Sequence, residues 1–469
     1  SSLIWSDNTT LGLSDTPKSD FIIDLRPSLR LTAGGPNLRL NGSVGVDSVS
    51  YANGTQPNDT APNADLSLNA VLAQRLLFLD ASARSFQSTA DLFGASAAGS
   101  TSNRYSTMQY ALSPYLDREL SDGVHLNVRS DNSWSASSGN GAPDNDGYFG
   151  RHAAAFTILP RPLGLGLDAE RTETKYRNAT ETLSRDQVRG SLSAAYDERF
   201  RVALVAGRER YRIAVGLPED SHSIYGVRTE WTPSDRTKLE ASVERRFFGT
   251  GWEAIFTHRS PFLAWKLSAL RQASSYAERL FSTPAGSNVA ALLDAAFMTR
   301  FPDPTERARA VQDFLAQRGL PANVTTSVSV FSDRVDLYNA LIASVAYIGP
   351  RDSTTLTVFN SRIQTLPGVD PIFSLLSPDD YRSRGASVSW SHRLTQQAAL
   401  VATYRHSDIE GFNVNAGERT KQDLTQLEWN QTLSPQTSGQ IGLRYQMIDS
   451  TVNHDGHESA AYVGLRHRF

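Results

Sequence analysis

A chain of 469 residues with 46 Lys and Arg against 49 Asp and Glu has a formal charge of −3, which leaves no basic excess for binding nucleic acid. Without cysteine it can form no disulfide, thiolate metal site, c-type haem attachment or cysteine nucleophile. No apolar run approaches the ~20 residues of a spanning helix, and hydrophobic residues make up only 39%, so helical membrane proteins are excluded. The chain opens on polar Ser1 and Ser2, so an export signal is expected to have been removed upstream.

From the N-terminus onward the dominant pattern is alternation with period two, the signature of strands with unlike faces. Ile23, Leu25, Leu29 and Leu31 oppose Asp24, Arg26, Ser28 and Arg30. Leu38, Leu40, Val44 and Val46 repeat the rule, then Leu163, Leu165 and Leu167, then Ala386, Val388 and Trp390. Ile441, Leu443, Tyr445 and Met447 oppose Gln440, Gly442, Arg444 and Gln446. In the last segment Ala461, Val463, Leu465, His467 and Phe469 oppose Tyr462, Gly464, Arg466 and Arg468.

Alternation alone does not separate a soluble sandwich from a membrane barrel; segment length and loop asymmetry do. The segments run about 10–15 residues, against ~9–11 to cross a bilayer and ~5–6 in a typical globular strand. Ten links are short, among them Gly34–Pro36, Ser121–Gly123, Pro160–Pro162 and Leu433–Gln436, and between them lie mostly longer polar loops such as Tyr51–Asp65, Ser135–Asp146 and Phe412–Gln422. Stacked soluble sandwiches have no reason to make every second loop short. The expected fold is therefore all-β: one single-chain transmembrane antiparallel β-barrel of about 22 strands (18–24 as the range), beginning near Leu3–Asn8. The expected place is the bacterial outer membrane, with both termini periplasmic.

Residues 277–323 break the alternation. Ser287 or Asn288 can cap a helix whose Val289, Leu292, Leu293, Ala296 and Phe297 share one face. Asp303 and Pro304 then read as N-cap and first helical position, Val311, Phe314 and Leu315 as an apolar stripe, and Gly319 with Pro321 as the stop. The expected organisation is barrel over 1–276, a helical hairpin over 277–323 folding into or over the lumen as plug or cap, and barrel over 324–469.

Lumen-facing charges are the candidates for specificity. By phase these are Asp24, Arg26, Arg30, Arg39, Glu240, Glu244, Arg246, Glu428, Arg444, Arg466 and Arg468, with Arg208, Arg210 and Arg212 added as a row sharing one face. The bland alternative is that they pair as ordinary salt bridges. The 9 histidines show no metal-ligand spacing, so neither a metal nor a cofactor is expected. Ser407 and His454 lie in polar loop-like segments without a nucleophile elbow, so an enzyme is not expected. The tryptophans read as membrane-border residues.

The stretches SDNTTLGLSDTPKSDFIIDLRPSLRLTAGG, Phe78–Gly94, Tyr105–Leu116 and Phe301–Pro321 resemble the PEP-CTERM-system-associated outer-membrane barrels, over essentially the whole chain. That resemblance implies a role in exopolysaccharide export or surface assembly, and it transfers no catalytic residues. Porin-like solute diffusion, or a sheath around an electron-transfer partner, are the alternatives. The C-terminal strand is similar to a barrel-assembly signal through Tyr462, Gly464, His467 and Phe469, with His467 where an aromatic is more usual. Expected partners are outer-membrane lipid and lipopolysaccharide, the barrel assembly machinery, and exopolysaccharide with periplasmic export components.

Overall fold

A computed structural model describes residues 1–74, 76–94, 98, 100–139, 142–143, 146–282, 287–320, 323–324, 331–366 and 380–469, the side chains of 287–288 and 323–324 excepted. Its first strands are β1 (Ser2–Ser6), β2 (Asp20–Leu25 and Ser28–Gly34), β3 (Leu38–Tyr51), β4 (Asp59–Ala73), β5 (Leu77–Thr89) and β6 (Arg104–Ser121). Next come β7 (Val124–Ser138), β8 (Gly147–Ile158), β9 (Leu163–Tyr176), β10 (Leu183–Ala195), β11 (Phe200–Arg212) and β12 (Asp220–Ser234). Then follow β13 (Thr237–Arg246), β14 (Gly249–Arg259), β15 (Leu263–Ser275), β16 (Val335–Ile348), β17 (Asp352–Thr365) and β18 (Tyr381–Arg393). The series ends with β19 (Ala398–Gly411), β20 (Arg419–Ser434), β21 (Thr437–Ser450) and β22 (Gly456–His467).

The two pieces of β2 pair along the same neighbour, β3, and count as one strand interrupted at Arg26 and Pro27. Proline lacks the N–H a ladder needs. Gly45 makes room opposite the break, since a Cβ there would lie 2.3 Å from the Pro27 carbonyl oxygen. Every strand is antiparallel to its chain neighbours, and β22 pairs with β1 from Ser2 against Gly464 to Ser6 against Ala460, closing the ring. A closed ring satisfies its backbone groups internally and leaves no edge, as lipid demands.

The outer face is apolar and unburied. Leu163, Leu165 and Leu167 on one strand are 63%, 55% and 54% exposed, which in water would be a costly patch and in lipid is the expected contact. Aromatic side chains border this belt on both sides: Trp231, Trp265, Tyr347 and Trp429 near the short turns, Trp5, Tyr110, Trp134 and Tyr225 near the long loops. Among the described residues no helix is long and apolar enough to cross a membrane. The chain is a transmembrane β-barrel.

Both termini and the short turns share one end. Several loops are shorter than the sequence pattern indicates, because strands continue into polar residues: β3 reaches Tyr51 and β4 already starts at Asp59, while β20 starts at Arg419. At the long-loop end one link is only Phe247 and Phe248, joining β13 to β14. The first strand ends at Ser6, not Asn8, and after the insert the wall resumes at Val335 rather than 324.

The insert leaves from the long-loop end of β15 and contains α1 (Tyr276–Ser282), α2 (Val289–Phe297) and α3 (Pro304–Arg318). Asp303 caps α3 by accepting from the backbone N–H of Thr305 (2.8 Å) and Glu306 (2.9 Å), and Gly319 ends it at φ 64° in the left-handed region. Pro321 lies outside the described residues.

Candidate functional site

Helices of 9 and 15 residues are marginal alone and need a surface to pack on. Val289, Leu292, Leu293, Val311, Leu315 and Leu320 bury against one another and against Ala264 of β15 and Ala346 of β16. Phe297 packs edge-on to Phe314 with ring centroids 5.4 Å apart, and Arg307 ties the helices by donating to Asp294 at 2.8 Å. Each fully buried aliphatic side chain contributes roughly 1.5–3 kcal/mol.

Ala264 and Ala346 sit beside the short turns, so the hairpin has crossed from the long-loop end to the opposite mouth. Its tip makes the same point. Arg318 donates to the carbonyls of Pro350 (3.1 Å) and Arg351 in the β16–β17 turn. A Cβ on Gly319 would meet Asn430 and Val401 near the lower ends of β20 and β19. At its other end α3 lies near β2 and β3, with Thr305 about 4.0 Å from a Cβ built on Gly34 and Arg39 close enough to act on Asp303 electrostatically. Backbone N–H donation, chiefly from Glu306, and those nearby arginines hold the Asp303 carboxyl below the usual aspartate range.

The base of the insert is fixed by buried charge. Asp336, fully buried at the start of β16, accepts from Arg279 of α1 (3.3 Å), Arg334 (3.1 Å) and Ser332 (2.8 Å). Tyr276 reaches across the barrel to Tyr105 of β6, hydroxyl to hydroxyl at 3.4 Å, and burial pushes its phenol well above the ordinary tyrosine value. The β5–β6 loop also turns inward: Leu92 and Phe93 pack on Tyr338, Ile363, Tyr381 and Ile409, and the Phe93 carbonyl accepts from Thr420 (2.7 Å) and Asn453 (2.6 Å).

Beside the hairpin a cavity of about 1210 Å³ follows the inner wall from Leu159 and Pro160 at the short-turn end to Phe248 and Gln272 at the long-loop end. Its wall carries a network of arginines and carboxylates. Glu244 meets Arg189 (3.4 Å), Arg228 (3.0 Å) and Arg246 (3.6 Å). Arg246 also binds Glu209 at 2.6 Å, Arg228 binds Asp168 at 3.0 Å, and Arg151 binds Glu170 at 2.7 Å. Lower down, Lys238 bridges Glu230 (3.2 Å) and Glu240 (2.8 Å).

The phase assigned from sequence places Asp24, Arg30, Arg39, Glu240, Glu244, Arg246, Glu428 and Arg444 on the inner face. Asp24 holds Arg26, which lies in the β2 break, at 2.7 Å. Arg444 meets the buried Glu458 at 2.7 Å, and Ser6 donates to the same carboxylate at 2.6 Å across the closing seam. Tyr462 donates to Glu428 at 2.6 Å, and Gly442 lets its ring lie flat, because a Cβ there would be 2.4 Å from it. His467 contacts Thr437 at 2.9 Å, and Phe469 is fully exposed past the strand end. Arg466 and Arg468 stand at the short-turn rim, exposed.

Arg208, Arg210 and Arg212 do not line the lumen. They continue the outward phase of Val202 and Leu204, and pair in register with Val188, Asp186 and Ser184 of β10; Glu209 between them is the buried inward residue. Charges on a lipid-side phase look wrong only if the strand is still in lipid there; Arg208 stands at the upper border of the apolar belt, opposite the exposed Val188, and Arg210 and Arg212 stand above it. Sequence reasoning also missed Arg189 and Arg228, whose strands alternate as cleanly as those it used, and the inward turn of Leu92 and Phe93, for which no local signal exists. In the Ser407 and His454 segments, His406 meets Asp423 at 2.9 Å and His454 meets Asp15 at 2.6 Å.

No family model matches the sequence, and no curated protein matches it. Among solved structures, the chain is similar to the FrpB iron transporter from Neisseria meningitidis at 11% identity, TM-score 0.48, covering 100% of this chain and 80% of that one. It is similar to the ferric citrate transporter FecA in its unliganded form at 9% identity, TM-score 0.45, covering 99% and 78%. Fiu, a ferric-catecholate import receptor from E. coli K12, gives 7% identity and TM-score 0.42, covering 100% and 81%. At such scores the likeness assigns neither cargo nor direction.

Proposed function

We propose that this protein is an outer-membrane conduit for exopolysaccharide, in which the helical hairpin is a displaceable plug beside a permanent polar path. The observation that carries this reading is the elongated cavity lined by mixed arginine and carboxylate side chains. Hydroxyl-rich polymers exchange hydrogen bonds with such a wall without being held by any one charge. The hairpin's own contacts support displacement. Its apolar residues bury mainly on each other, and among the described residues the barrel contributes Ala264, Ala346 and the half-buried Ile348 to that core. The inner faces of β16–β18 otherwise mix small hydroxyls, including Ser344, Thr355, Thr357, Ser383, Ser387 and Ser389, with larger side chains such as Tyr338, Ile342 and Ile363. Withdrawing the hairpin would bare mainly Ala264, Ala346 and Ile348 on the wall, a modest transfer cost beside the core the two helices keep between themselves.

Planar-bilayer conductance of the intact protein beside a variant lacking Ala285–Leu320 tests the proposal. The intact barrel is expected to pass a small current and the deletion a several-fold larger, steady one. Equal conductance overturns the plug. A large, steady current through the intact barrel favours a diffusion porin, for which the existing polar cavity is the supporting observation.

A further inference from the structure

We infer that the outer face of β11–β15, at the long-loop end, carries a binding site for the phosphates of a phosphorylated glycolipid headgroup, centred on Arg208, Arg210, Arg245 and Arg271. This rests on the barrel's membrane placement and not on its cargo.

All four arginines have the outward phase. Arg208 and Arg210 stand above Leu204, which is 62% exposed, and Arg245 stands one outward position above Val243, which is 53% exposed. In register Arg245 lies between Tyr225 and Thr250, and Arg271 lies opposite Trp252, so each borders the lipid-facing belt. The rim is low here because β13 and β14 are joined by only Phe247 and Phe248. Acyl chains that end against Val243 therefore bring their headgroups to the arginines.

The charges are also unneutralised. Arg212, the uppermost of its row, is claimed by the loop carboxylates Glu181 (3.9 Å) and Glu219 (3.7 Å) and is left out of the site. Asp186, the register neighbour of Arg210, is in salt-bridge range of Arg171 at 3.5 Å. Arg208 meets only the Ser221 hydroxyl at 3.0 Å, and Arg271 donates to the Thr250 carbonyl and stands over the Phe248 ring at 5.9 Å, neither of which neutralises its charge. Among the described residues no carboxylate lies within salt-bridge distance of Arg208, Arg210, Arg245 or Arg271. Two of them converge: a Cβ on Gly249 would be 3.8 Å from Nη1 of Arg271 and 3.9 Å from Nη1 of Arg245, which bounds their separation below about 8 Å. Like charges held this close at the edge of a low dielectric repel unless an anion joins them. Guanidinium forks match phosphate oxygens in a bidentate way, and a lipid phosphate is the anion delivered at this height on this face.

The test uses the full chain in phosphatidylcholine nanodiscs doped with lipid A, or with the same lipid enzymatically stripped of phosphate, and reads retained lipid by native mass spectrometry. The intact protein is expected to retain the phosphorylated form selectively. Arg210→Gln, Arg245→Gln and Arg271→Gln together should lower that retention roughly hundredfold, at about a kcal/mol for each basic residue near a charged lipid surface. A control carrying Arg199→Gln and Arg236→Gln at the short-turn end should retain it. Heat-modifiable migration checks that each variant is folded. Equal retention of the two lipids, or an undiminished signal from the folded triple variant, overturns the inference. Displacement of the lipid by millimolar inorganic phosphate also overturns it, by making the site one for free anions.

Discussion

The lumen wall has two unlike sectors. From β8 to β14 it is a lattice of arginines and carboxylates, in which Glu244 alone touches three guanidinium groups. From β16 to β18 it is uncharged near the hairpin, mixing Ile342 and Ile348 with small hydroxyls, of which Ser344 and Thr357 make a contact of 3.2 Å. The first sector is bound to itself; the second offers uncharged side chains on which a helix pair lies. The difference teaches that one lumen wall can hold an ion-pair lattice and a helix-bearing face on separate strands, which is the arrangement the proposed path and plug require. Salt bridges across adjacent strands resist rearrangement because removing one partner leaves a buried charge alone.

The comparison can be broken most severely at the base of the insert. Asp336→Ala strands Arg279 and Arg334 without their shared carboxylate, a loss of roughly 3–5 kcal/mol where such pairs are buried. Protease should then cut within the insert of the assembled barrel much faster than in the parent, and an unchanged cleavage rate would sink the anchoring role. Next in size is Leu293→Ala, which removes a core contact of the hairpin at about 2–5 kcal/mol. Its expected readout is frequent opening events in bilayer recordings, with the barrel's own melting unchanged; a shift of the barrel melt instead would mean the hairpin is part of the wall's stability.

A smaller effect is expected from the charged sector. Glu244→Gln leaves Arg189, Arg228 and Arg246 with less neutralisation, so the reversal potential in a salt gradient should move toward chloride. No movement would show that ions bypass this wall. The smallest effect belongs to Asp303. Its folded carboxyl is held below the ordinary value, so its contribution to capping is complete above the unfolded aspartate range and is lost as pH falls through the lower folded value. Opening events should therefore become more frequent in acid, and Asp303→Asn, which keeps the cap but not the charge, should flatten that dependence.

Much of this architecture is visible in local pattern. Ile441, Leu443, Tyr445 and Met447 face outward, as their alternation with Gly442 and Arg444 requires, and short turns on alternate links set the strand number. Asp303, Pro304 and Gly319 mark the ends of α3 because cap chemistry is satisfied within a few residues. The row of Arg208, Arg210 and Arg212 misleads for a definite reason: phase fixes which face a side chain takes, while height above the membrane decides whether a charge can stand there. Helix α1 was hidden because Tyr276 and Ala277 are buried by partners from β6 and β9, more than a hundred residues earlier.

By itself the sequence determined a period-two wall, its approximate strand count, the asymmetry of its ends and the presence of an amphipathic helix pair. These follow from interactions between residues a few positions apart. Only the tertiary structure decided that the hairpin descends to the short-turn mouth, that Leu92 and Phe93 fold inward, and that Glu244 gathers Arg189, Arg228 and Arg246 into one lattice. Each depends on closure, when Ser2 meets Gly464 and strands distant in sequence first share a lumen. No local preference encodes what will stand across a bore that does not exist until the ring is complete.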